Sequence, residues 1–140
     1  MSSLKRSCAS PEPTRALLSI KPRFVDAILA GVKRFEFRRS IFSRPVDVVV
    51  IYATDPVQRI IAEFDVKGIM EASPDLLWKR TKEFAGIDQD GFYEYFNGKN
   101  KGYAIEVGEV RVYDTPLHPV RDLGVRPPQS FLYLRDQLPN

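Results

Sequence analysis

Three side chains in the stretch GVKRFEFRR, Gly31 to Arg39, have the types and spacing for proton or charge chemistry. Lys33, Glu36 and Arg38 set an ammonium, a carboxylate and a guanidinium close together in the chain. An ammonium beside a carboxylate in a partly dry cleft has a displaced titration, which general acid-base or nucleophilic work requires. The same trio also reads as a salt-bridge network that pins a strand. A period of two makes the segment a strand, with Phe35 and Phe37 on one face and Arg34, Glu36 and Arg38 on the other. On that reading the two rings fill a barrel, and Glu36 and Arg38 line a cleft framed by the preceding helix. Lys33 shares parity with the rings but, beside Gly31 at the strand's start, could reach the barrel mouth.

Further candidates lie at the ends of neighbouring elements. Ser19, Lys21 and Pro22 occupy a strand-to-helix turn, where backbone amides can hold an anion and Lys21 and Arg23 add charge; alternatively, Pro22 simply starts the helix. Tyr52 and Thr54 end an apolar strand, where a ring can stack on a base and a hydroxyl can read an edge. The competing reading of Tyr52 is core. His118, the single histidine, stands in a loop without cysteine or carboxylate partners at metal-ligand spacing, so no metal is expected. The chain lacks a G-x-x-x-x-G-K-[ST] loop, a G-x-G-x-x-G turn and a G-x-S-x-G elbow. Nucleotide hydrolysis, dinucleotide chemistry and serine hydrolysis are therefore unsupported, and no cofactor is expected.

The elements that must position these residues follow from periodicity and punctuation. RALLSI (15–20) is a short strand; KPRFVDAILAG follows as a helix with Pro22 at its first position, Phe24, Val25, Ile28 and Leu29 on one stripe, and Gly31 as the stop. VDVVVIYA (46–53) is apolar almost throughout, as in a central strand covered on both faces. Residues 58–72 alternate as a long half-buried strand with a bend or bulge at Gly68. Residues 73–86 form a helix capped by Ser73, started by Pro74 and stopped by Gly86, on which Trp78 packs against the barrel. Residues 88–98 make a short helix with Phe92, Tyr95 and Phe96 inward. In the next strand the inward set shifts from Tyr103, Ile105 and Val107 to Val110 and Val112, a parity change that a bulge at Gly108 produces. PPQSFLYL (127–134) closes with one more strand. The fold class is α+β: a small mixed β-barrel of five to six strands with about three peripheral helices.

Length and charge bound the rest. The 140 residues are 44% hydrophobic, enough for one core without metal or disulfide staples. Residues 1–13, rich in Ser and Pro, read as a disordered tail and 14–140 as a single domain. The lone Cys8 fits a reducing cytoplasm, and no apolar run reaches membrane length or resembles a signal peptide. A net charge of +3 says little by itself. Its distribution says more: residues 21–44 carry seven basic and two acidic side chains, whereas 45–140 carry eleven and fifteen. A positive region on an acidic body attracts phosphate-bearing ligands.

Read together, LLSIKP, AILAGVKRFEFRR, VVIYATDPVQRIIAEFDV, GFYEYFNGKNKGYAIEVGEV and PPQSFLYL resemble the ASCH domain of the PUA-like superfamily. Gly31-x-Lys33-x-x-Glu36-x-Arg38 matches its G-x-K-x-x-E-x-R signature, and the resemblance spans about Leu17 to Leu134. It implies a PUA-like barrel with a cleft beside the first helix, in a superfamily that binds RNA and modified bases, with roles proposed in RNA metabolism or transcriptional regulation. By kinship Ser130, with Gln129 and Tyr133, forms another cleft wall. Some relatives hydrolyse N4-acetylcytidine and another is a ribonuclease. Lys33 matches the catalytic lysine of the acetylcytidine hydrolases; Glu36 replaces their threonine, and Glu83 is the nearest counterpart of their glutamate. The reading adopted is a module that binds RNA, a nucleotide or a modified nucleoside, with DNA as a further partner. The alternatives are a hydrolase or ribonuclease using Lys33 and Glu36, and a protein-interaction adaptor on the same basic face. Oligomeric state is left open.

Overall fold

The computed structural model describes residues 12–135. Residues 1–11 of the expected tail, Cys8 among them, and residues 136–140 of the expected domain lie outside them. Six strands form one mixed sheet in the order β2-β5-β4-β3-β1-β6. They are β1 Arg15–Ile20, β2 Phe35–Arg38, β3 Val48–Ala53, β4 Arg59–Ala72, β5 Gly102–Leu117 and β6 Phe131–Leu134. β1 and β3 run parallel, and every other pair is antiparallel. The parallel pair needs a crossover, which carries helix α1 (Pro22–Leu29) and the edge strand β2.

The punctuation does what its chemistry requires. Pro22 opens α1, and Gly31 takes φ +81 just past its end. Ser73 accepts the Leu76 amide at the start of α2 (Pro74–Thr81), and Asp88 accepts the Gly91 amide at the start of α3 (Gln89–Tyr95). A 3₁₀ turn, Lys82–Phe84, extends α2. A fourth helix, α4 (Pro119–Leu123), stands where the sequence reading places a loop, and His118 caps it through Nδ1 at 3.1 Å. The register between β4 and β5 slips on either side of Val66↔Val107, so the expected bulges near Gly68 and Gly108 are present. Gly108 is required there, because a Cβ would stand 2.9 Å from the Asp65 carbonyl oxygen.

All six residues of β3 are buried, and the strand feeds two cores. Val49, Ile51 and Ala53 join Leu18, Val25, Ile28, Phe64 and Ile105 between the curled sheet and α1. Val48, Val50 and Tyr52 join Leu17, Ile60, Leu123 and Leu134 on the opposite face, against α4. A third cluster lies under α2 and α3 around Leu77, Phe92 and Phe96. Of the inward set expected on β5, Val107 and Val110 pack against the main core, but Val112 is exposed. Among the described residues no helix is long and apolar enough to cross a membrane.

Candidate functional site

Strand β2 has two faces, and the structure assigns them opposite to the sequence expectation. Phe37 pairs with Ala104 and meets the rings of Phe92 and Phe96 at 5.0 and 6.2 Å, in the cluster under α2 and α3. Phe35 packs against the same cluster. Glu36 pairs instead with Ile105, on the side of the main core and α1. The rings therefore dock the helical layer, and the charged pair faces inward. Two amphipathic helices offer an apolar surface for the rings, which alternation alone does not reveal.

The inward charges are nearly dry. Glu36 is 6% exposed and Arg38 9%. Arg38 donates from Nη1 to Glu36 Oε2 at 3.1 Å, and from Nη2 to the Ser130 hydroxyl and carbonyl at 2.8 and 3.2 Å. The Ser19 carbonyl lies 3.5 Å from Nη1, a marginal contact. β2 and β6 are opposite edges of the sheet. Arg38 thus joins the two ends of the curled sheet by side-chain bonds where no strand ladder closes it. The five donors of a guanidinium suit this bridging role. The Ser19 amide donates to the Ser130 carbonyl at 3.2 Å, and its hydroxyl donates to the Pro128 carbonyl, so Ser19 holds the segment leading into β6.

Lys33 lies at one side of this seam and is 2% exposed. It borders a cavity lined also by Gly31, Arg34, Phe84 and Glu106. Its ammonium donates to the Ala85 carbonyl at 2.7 Å and lies 4.9 and 4.7 Å from the ring centroids of Phe24 and Phe37. Burial lowers its pKa to about 8, opposed by the charge of Glu36. The rings favour the charged amine, but they are not water. Gly86 makes the fit possible: at φ +67, a Cβ there would fall 2.5–2.8 Å from three carbons of the lysine stem.

Lys21 is exposed at the cap of α1, next to Pro22. The Thr54 amide donates to the Ile20 carbonyl at 3.0 Å, which brings Thr54 to the same rim of the sheet. Tyr52 does not join them. It is 6% exposed and packed with Leu17, Val50 and Ile60 on the face away from Glu36. A base has no access to that ring, because its position on β3 shares parity with Val48 and Val50. The basic excess of residues 21–44 also divides. Lys33 and Arg38 are buried, Arg34 and Arg44 lie over the rings of Phe84 and Tyr133 at 4.3 and 3.9 Å, and Lys21 and Arg39 are exposed.

Two neighbours of the site escape the sequence reading. Gly86 reads there only as a helix stop. Tyr95 reads as an inward ring of α3, yet 36% of it is exposed. Burial raises the pKa of its phenol, with Arg38 opposing and Glu36 assisting. No local pattern relates position 95 to 36–39. Among the described residues no three His, Cys, Asp or Glu side chains are grouped to hold a metal ion.

The ASCH domain family model matches residues 18–108. A Zymomonas mobilis protein named ASCH domain-containing ribonuclease is 29% identical over 135 residues, 91% of this chain and 88% of its own length. The crystal structure of ASCH from the same organism superposes with a TM-score of 0.80 at 29% identity, over 87% of this chain and 88% of that one. A serine-to-alanine variant of that protein gives 0.81 at 28% identity, over 91% and 93%.

Proposed function

Because the chain belongs to the ASCH domain family, we propose that it is an RNA-directed binding protein that takes a ribonucleotide at the seam where Arg38 meets Ser19 and Ser130. The observation that carries this reading is the nearly buried Glu36–Arg38 pair, set at the seam between Ser19 and Ser130. A carboxylate only accepts hydrogen bonds, so Glu36 recognises a base edge that donates, such as the amino group of cytosine or adenine or the N1 and N2 hydrogens of guanine. Exposed Lys21 and Arg39 hold phosphate, which fixes register without reading sequence. The relative named as a ribonuclease supports RNA as the ligand class.

Fluorescence anisotropy with a labelled single-stranded RNA tests the reading. Binding that weakens as salt rises, with Glu36→Gln changing base preference more than affinity, is the expected result. Absence of RNA binding at low salt would overturn it.

One observation favours a second reading, a ribonuclease. With a pKa near 8, Lys33 exchanges its proton near neutral pH, as an acid or base acting on a ribose 2′-hydroxyl must. The substrate would have to displace the Ala85 carbonyl to reach it. RNA cleavage by the wild type that is lost in a folded Lys33→Ala variant would establish this reading. An acetylcytidine hydrolase is less supported: Glu36 replaces the threonine, and Glu83 is exposed on the 3₁₀ turn.

A further inference from the structure

Where the bulges of β4 and β5 face the end of α1, the fold leaves a cavity of about 580 Å³, within the roughly 300–1,000 Å³ of small-molecule sites. We infer that this cavity holds a nucleoside monophosphate, with its base stacked on the guanidinium of Arg34 and its phosphate on Lys67. Ser19, Glu36, Arg38 and Ser130 lie outside its lining, so binding here does not depend on the RNA-directed reading of the seam.

The lining offers a flat apolar space with a fixed wall. Gly31 and Gly108 border it without side chains, while Ile28, Val107 and Val110 make it apolar. The wall is Arg34, bonded on both sides. Its amide donates to the Phe84 carbonyl at 2.8 Å, and the Val107 amide donates to its carbonyl at 2.9 Å. Its guanidinium lies 4.3 Å from the centroid of the Phe84 ring, and the residue is exposed. A guanidinium stacked by one face on a ring has its other face for a base, and ordering it further costs little.

The charges select an anion. Glu109 lies 3.6 Å from Arg111, which Glu63 and Asp65 also hold. Glu106 pairs with Lys67 at 3.8 Å between exposed side chains, a weak contact that a phosphate can replace. Among the described residues neither Lys33 nor Arg34 forms an ion pair. Three cations thus line the cavity with two carboxylates that are already engaged. A nucleoside monophosphate brings both the planar ring and the negative charge that this lining takes. A free nucleotide and the 5′-phosphorylated end of an RNA carry that same group.

NMR titration of the ¹⁵N-labelled chain tests the site with AMP, CMP, GMP and UMP, with their nucleosides, and with a short RNA bearing a 5′-phosphate or a 5′-hydroxyl. The amides of residues 31–34 and 106–109 should shift, and a nucleoside should bind about tenfold or more weakly than its monophosphate. Shifts there with a mononucleotide identify the free nucleotide as the source. Shifts there only with the 5′-phosphorylated RNA identify a chain end. For the responding ligand, Kd should rise about tenfold to a hundredfold in Arg34→Ala and about two- to fivefold in Lys67→Ala, and fall in Glu106→Gln, which frees Lys67. No response at these amides to any of the phosphates, or one confined to Glu36, Arg38 and Ser130, would overturn the inference. So would a folded Arg34→Ala that binds as tightly as the wild type. If Arg34→Ala fails to fold, an unchanged Kd in both Lys67→Ala and Glu106→Gln overturns it instead. A chain that takes the mononucleotide here yet binds no RNA at low salt would overturn the seam reading alone.

Discussion

Lys33 makes a prediction whose sign and size follow from its surroundings. Its amine is enclosed by the Ala85 carbonyl and the rings of Phe24 and Phe37, with Glu36 the one charge that raises its affinity for a proton. The folded pKa is about 8 against an unfolded value of 10.5. Below pH 8 both states hold the proton, and stability does not depend on this group. Between 8 and 10.5 the unfolded chain still binds a proton that the native one has lost, so the native state gains stability as pH rises. At ~1.4 kcal/mol per pKa unit, the whole window is worth about 3 kcal/mol. Other groups titrate there too, including Tyr113, whose phenol is pushed up by burial and by Glu63. Comparison with Lys33→Met cancels them. Urea denaturation at intervals from pH 7 to 10.5 should show the stability of the wild type minus that of the variant climbing by about 3 kcal/mol. A difference that stays flat across the window would refute the claim that burial governs this lysine.

Glu36→Gln removes the charge that holds the Lys33 proton, so Lys33 should titrate below its wild-type value; the ε-carbon chemical shift followed by NMR reports it. Arg38→Ala strands the Glu36 carboxylate and opens the seam to Ser130, and should cost about 3–5 kcal/mol in urea denaturation. Arg38→Lys should recover only part of this, since one ammonium cannot span both partners. Gly86→Ala imposes a positive φ on alanine and crowds the lysine stem, and should cost about 2–4 kcal/mol. The crowding part should shrink when Lys33→Ala is added, and a double-mutant cycle measures that coupling.

Periodicity and turn chemistry, properties of neighbours in the chain, were legible without coordinates. The unbroken apolar run of β3 means a strand covered on both faces, Pro22 and Gly31 bracket α1, and the parity change across Gly108 means a bulge. The spacing of Lys33, Glu36 and Arg38 likewise brings an ammonium, a carboxylate and a guanidinium together, and the family signature is carried by those same positions. Alternation, however, divides a strand into two faces without saying what covers each. Phe35 and Phe37 went to α2 and α3, and Glu36 and Arg38 to the α1 side, because the helices of a later segment supplied the apolar surface. Tyr52 was lost to the core for the same reason. The partners that define the site lie far along the chain: Ser130 is 92 positions from Arg38, and Ala85 is 52 from Lys33. Only the curl of the sheet, which brings its two open edges within reach of one guanidinium, decides which charges are dry.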